Sequence, residues 1–146
     1  EEAKISDWIV TAVSRRRELS EIEKEMDSSA TIQWINVATC CTTKLKSGTV
    51  YCSLPLPMKT GYPVHINGNF ALSSNRRHLW EQSEGEQSGP AAFKSRWNQE
   101  LAVLVARAYF DLLERLKSTI SDPDDLYQYW PCSKQSHFFQ QHTIPS

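Results

Sequence analysis

The stretch Leu54-Pro-Leu-Pro-Met-Lys-Thr-Gly-Tyr-Pro-Val-His-Ile-Asn-Gly-Asn-Phe-Ala-Leu-Ser-Ser-Asn-Arg-Arg-His-Leu-Trp80 decides how the rest of the chain is read. Pro55, Pro57 and Pro63 fix backbone angles and remove amide donors, so Leu54 to Pro57 is expected to be extended and non-helical. Gly61 marks a turn. From Val64 the apolar positions alternate. Val64, Ile66, Phe70 and Leu72 share one face with Gly68, and His65, Asn67, Asn69 and Ala71 take the other. That period of two predicts a strand from Val64 to Leu72. Ser73-Ser74-Asn75-Arg76-Arg77-His78 then reads as a helix start presenting two arginines, with Leu79 and Trp80 tucked back. Two readings of this basic knot stay open. Fixed guanidiniums at the end of a strand suit anion recognition. A surface turn whose arginines pair with Glu81, Glu84 and Glu86 fits the same residues.

Upstream, Ile5 to Val13 is rich in β-branched residues and predicts a first strand. Ser14 is a candidate cap for a helix over Arg15 to Met26, where Leu19, Ile22 and Met26 recur at spacings of three and four. Arg15-Arg16-Arg17 reads as a solvated face, and its charge opposes the helix dipole. Asp27-Ser28-Ser29 closes that helix. Thr31 to Thr43 predicts a second strand, apolar on both faces and so inside the sheet. Lys44 to Gly48 is a polar turn. Thr49 to Leu54 predicts a third strand, paired with the second as an antiparallel hairpin.

Downstream, Glu81 to Gly89 is an acidic loop, and Ser88-Gly89-Pro90 opens a helix. Trp97, Leu101, Leu104, Val105, Ala108, Leu112 and Leu116 form a wide apolar stripe, which predicts one long helix from Ala91 to Ile120 lying across the sheet. Ser121-Asp122-Pro123 ends it, and Asp124 to Tyr129 forms one more turn. From Cys132 onward a loosely packed tail or a short terminal helix is expected. The expectation is therefore an α+β domain over residues 1–130: a two-layer sandwich of about four mixed or antiparallel strands under one long and one shorter helix, with a tail at 131–146. A chain of 146 residues is long enough to bury such a core.

A formal net charge of −1 argues against a general nucleic-acid binder, which needs a basic excess. No apolar run approaches the length of a membrane span, and no signal-peptide pattern opens the chain, which starts as an excised piece of a longer protein would. Cys40, Cys41, Cys52 and Cys132 contain no Cys-x-x-Cys pair and read as small hydrophobes of a reducing compartment. His137 and His142 are five apart, the wrong spacing for two metal ligands on one helical face. No P-loop, dinucleotide fingerprint, nucleophile elbow or zinc-protease helix occurs. His65 reads as a half-exposed histidine bonded to a neighbour, and core is the expected place for most of the five tryptophans.

Leu54-Pro-Leu-Pro57, Thr60 to Trp80, Pro90-Ala-Ala92 and Trp97-Asn-Gln-Glu-Leu101 together resemble the repeated region of the sacsin family, over roughly Ile5 to Trp130. Those repeats join an ATP-binding module, similar to that of the ninety-kilodalton heat-shock chaperones, to downstream segments. This chain looks like a downstream, middle-type segment without the nucleotide-holding motifs. The resemblance implies a chaperone-like or co-chaperone-like role in cytoplasmic protein quality control, with no catalysis and no cofactor in this chain, and ATP in the neighbouring module. Its implied partners are neighbouring sacsin modules and client or chaperone proteins. It also implies that Arg76, or Arg77 as second choice, senses a terminal phosphate from a turn supported by Asn75 and His78, since a guanidinium donates two bonds to a phosphate. The other reading is a structural module that docks proteins such as cytoskeletal filaments through exposed tryptophans.

Overall fold

The computed structural model describes residues 6–26, 31–81, 88–131 and 138–139. These form strands β1 (Trp8–Arg16), β2 (Ile32–Cys40), β3 (Thr49–Cys52), β4 (Leu54–Lys59) and β5 (His65–Gly68), and helices α1 (Glu21–Met26), α2 (Gly89–Thr119) and α3 (Pro123–Tyr127). The class is α+β. The sheet holds five strands rather than about four, because Leu54 to Lys59 is not merely extended but pairs with β3. Its two prolines sit on an edge strand, where a missing N–H costs no ladder bond.

The strand order is β1-β2-β5-β3-β4. The expected β2–β3 hairpin is therefore absent. β5 lies between them, antiparallel to β2 and parallel to β3, with Val37 and Val50 both registered on Ile66. A short separation in sequence suggested a hairpin, but the apolar face of β5 fills that slot. β5 is also shorter than expected. After Gly68 the chain leaves the ladder, and an isolated antiparallel bridge, Leu72–Leu79, joins the two sides of the loop that follows.

β1 runs on through the residues expected to start a helix, to Arg16. Alternation then sends Arg15 towards α2 and Arg16 away from it. The helix begins only at Glu21, behind a capping box: Glu23 N–H donates to Ser20 Oγ (3.3 Å) and Ser20 N–H donates to Glu23 Oε2 (2.9 Å). Ser20, not Ser14, is the cap. Ile22, expected on the apolar face, is exposed, while Leu19 is buried. Asp27-Ser28-Ser29 lies outside the described residues.

α2 matches its expected span to within two residues, and all seven stripe residues are buried. It packs on the inward face of β1 and β2, where Thr11 Oγ1 donates to the Ala108 carbonyl at 2.6 Å. The core continues past Pro131. Phe138 and Phe139 are buried, and the Phe139 ring meets Phe70 edge-on at 6.2 Å. At these two residues the tail is packed, not loose; Cys132, His137 and His142 lie outside the described residues. Of the five tryptophans only Trp97 is buried. Cys40, Cys41 and Cys52 are free thiols.

Candidate functional site

Ser73 to His78 is a tight loop, not a helix start. Ser73 N–H donates to the His78 carbonyl (2.9 Å), and Arg76 N–H donates to the Ser73 carbonyl (2.8 Å). Arg76 is held at φ +56, so the turn closes through a left-handed residue that a helix does not accept. Asn75 Oδ1 accepts Arg77 N–H at 3.0 Å and the Ser73 hydroxyl at 2.7 Å. His78 contributes its backbone only, with its N–H on Ser73 Oγ at 3.3 Å. Arg76, Arg77 and His78 are exposed. Among the described residues neither arginine forms an ion pair, Glu81 included. Glu84 and Glu86 lie outside them. Burial pushes the Cys52 thiol up, with the backbone of Phe70 and the Arg76 charge opposing it.

Two residues that the sequence reading left to the apolar stripe or passed over hold this loop in place. Trp97 Nε1 donates to the Asn69 carbonyl (2.7 Å). The fully buried Asn98 accepts Ala71 N–H and donates to the Ala71 and Trp80 carbonyls. A polar residue inside a long apolar stripe was the available signal, because a buried carboxamide must find partners.

The arginine run was misread as a solvated face. Arg17 is nearly buried, with its guanidinium bonded to Glu23 (2.9 Å) and Glu100 (2.7 Å). Arg15 reaches Glu100 (3.0 Å) and Gln33 (2.6 Å). This network ties β1, β2, α1 and α2 together. Its members satisfy one another apart from the enclosed Arg17 Nη1, which lacks a partner among the described residues, and a cavity lined by Arg16, Arg17, Glu18, Leu19, Lys24 and Thr31 opens beside it.

The outward face of the sheet differs. No described helix lies on it, and its strands present Trp8, Val10, Ile32, Trp34 and Tyr51, with Trp8 49 %, Val10 51 % and Ile32 55 % exposed. Its centre is a shallow depression lined by Val10, Asn36, Ala38, Tyr51, His65 and Asn67. The Trp8 ring stacks on His65 at 5.7 Å, and Tyr51 meets the same imidazole edge-on at 5.7 Å. His65 Nδ1 accepts Thr49 N–H at 2.9 Å. Burial, with Lys59 nearby, lowers the His65 pKa and keeps the ring neutral near pH 7. Charge on this face is confined to Arg16 and Lys59 at its margins.

Fold and site thus define a two-layer α+β module with one covered and one open sheet face, and no metal-binding cluster among the described residues. The chain is a sacsin-related region: it is 35 % identical over 133 residues to human (Homo sapiens) sacsin, covering 84 % of this chain. It spans only 3 % of the length of that relative. No family model matches the chain, and no solved structure matches it. No helix among the described residues is long and apolar enough to cross a membrane.

Proposed function

We propose that this chain is a non-catalytic docking module of a sacsin-type repeat, acting in cytoplasmic protein quality control beside an ATP-binding module. The observation behind this reading is the open, aromatic, charge-poor outer sheet face. A contiguous apolar surface of this kind on a folded domain marks an interaction site, because leaving it in water costs free energy that a partner recovers. Neighbouring sacsin modules, chaperones, client proteins or cytoskeletal proteins are the partner classes. The test is association of the chain with the adjoining sacsin segments, compared with a Val10→Lys variant. Val10 is half exposed, so the substitution spares the core. Loss of association with retained fold supports the reading; unchanged association refutes it.

A second reading has its own observation: the loop that holds Arg76 and Arg77 unpaired among the described residues, on a backbone fixed from α2. In it Arg76 reaches the terminal phosphate of ATP bound by the neighbouring module. The chain alone then turns over no ATP, and Arg76→Ala in a longer sacsin segment slows hydrolysis. An unchanged rate removes the role.

A further inference from the structure

The two edges of the sheet are unlike. β4 carries Pro55 and Pro57, which lack N–H groups, and its register with β3 shifts between Thr49 and Tyr51. β1, at the other edge, is nine residues long, has no proline and runs in unbroken register against β2. The two ends of that ladder show which of its backbone groups are used. Cys41 N–H donates to the Asp7 carbonyl (2.8 Å) and Arg17 N–H donates to the Thr31 carbonyl (2.7 Å), so the odd-numbered residues bond to β2. In an antiparallel pair the residues between them turn their N–H and C=O groups the other way. Trp8, Val10, Ala12, Ser14 and Arg16 therefore direct theirs off the sheet, and all five residues are exposed. Arg115 of α2 agrees with this direction, since it meets the Val10 carbonyl from that side at 3.4 Å. Among the described residues no strand completes the row.

We propose that β1 pairs with β1 of a second copy of this chain, antiparallel about Ala12, so that the two sheets become one. The proposal does not rest on the docking reading, because the edge and the outer face are separate surfaces. What selects a second copy is that the strand is its own complement. With Ala12 opposite Ala12, Trp8 lies opposite Arg16 of the second copy, and both side chains stand on the outer face. Trp8 is half exposed and stacks on His65, and Arg16 forms no ion pair among the described residues. Directly opposite residues have Cβ atoms about 5 Å apart, which lets a guanidinium reach an indole ring. The same register sets the acidic start of the strand, the exposed Asp7, against the basic end, Arg15-Arg16-Arg17. Parallel pairing would bring like charges together at both ends. Val10 lies opposite Ser14 of the second copy, whose N–H takes over the carbonyl that Arg115 now meets. Because β4 offers no equivalent row, the pairing closes at two copies with twofold symmetry and does not grow into a fibre.

The experiment is sedimentation equilibrium of the 146-residue chain from micromolar to near-millimolar concentration, with amide hydrogen exchange on the same samples. A rise from the monomer to the dimer mass supports the proposal when exchange at Val10, Ala12 and Ser14 slows at least about tenfold with it, while Ile9, Thr11 and Val13, already bonded to β2, change less. Ala12→Pro removes one outward N–H at the centre of the row and no bond to β2, and Arg16→Glu replaces the cation that faces Trp8. Each should weaken association at least about tenfold. If Ala12→Pro fails to fold, Arg16→Glu, at an exposed side chain, and the wild-type exchange pattern decide the outcome. A monomer mass throughout overturns the proposal. So does association that Arg16→Glu leaves unchanged, or association that protects amides elsewhere, as on α2 around the exposed Val103 and Phe110. Protection of the even-numbered amides only when an adjoining sacsin segment is added also overturns it, and gives the edge to that partner.

Discussion

Asn98 on α2 and Ala71 exchange two hydrogen bonds, Ala71 N–H to Asn98 Oδ1 at 2.8 Å and Asn98 Nδ2 to the Ala71 carbonyl at 2.9 Å. A side-chain amide here takes the place of a neighbouring strand. It meets the chain just after β5 leaves the ladder, and a third bond, to the Trp80 carbonyl at 3.0 Å, closes the other side of the Arg76 loop. Asn98→Leu keeps the volume and removes all three bonds. Stranding those backbone groups is expected to cost about 2–4 kcal/mol in urea unfolding. Hydrogen exchange at Ala71 should accelerate more than at Leu101, which stays within the helix.

Glu23 makes stability depend on acid. The hydrogen bond from Arg17, with those from Ser20, lowers its pKa from 4.5 to about 2 although burial opposes this. A lowered carboxylate pKa means that the folded state binds the proton less readily than the unfolded chain. Its contribution is therefore complete above pH 4.5 and is lost as the pH falls towards 2. Urea midpoints measured across that window should drop for the wild type. Glu23→Gln should be less stable at pH 7 and show a shallower decline.

Gly48 marks a close approach. A Cβ there would collide with the Val64 carbonyl oxygen, a backbone atom just before β5 that accepts the Thr60 hydroxyl at 2.9 Å. Gly48→Ala is expected to lose at least about 3 kcal/mol, the upper part of the usual overpacking range, or to detach β5. Thermal unfolding together with the Ile66 methyl signals tells the two apart.

Phe139 tests how far the core extends. It is fully buried and touches Phe70 and Phe138. Phe139→Ala should cost about 3–5 kcal/mol in denaturant unfolding, the range for truncating a core phenylalanine. A loss under about 1 kcal/mol would return these residues to a loosely attached tail.

The long helix was legible because its signal is local: seven apolar residues on one stripe admit one periodic solution. The inward face of β5 was legible for the same reason, since Val64, Ile66 and Phe70 alternate. Strand order was not, because the choice of β5 over β3 as the partner of β2 depends on contacts between distant parts of the chain. Arg15 and Arg17 were misplaced by a boundary error. Ending β1 at Val13 turned an alternating strand into a helical charge run, although Ser20-Glu21-Ile22-Glu23 carried the capping-box pattern that places the helix later. At the candidate site, the helix expected over Ser73 to His78 failed because Arg76 takes a left-handed backbone. The open face went unread, since nothing in Trp8 or Trp34 alone says which side of the sheet α2 will cover.

The insertion of β5 also governs where the chain can be divided. In the sheet, the pair β1 and β2 and the pair β3 and β4 are bridged by the four residues His65–Gly68. A cut at residues 60–64 leaves an N-terminal piece whose two strand pairs have nothing to bridge them, and a C-terminal piece with the bridge alone. The two pieces should accordingly regain structure only when mixed.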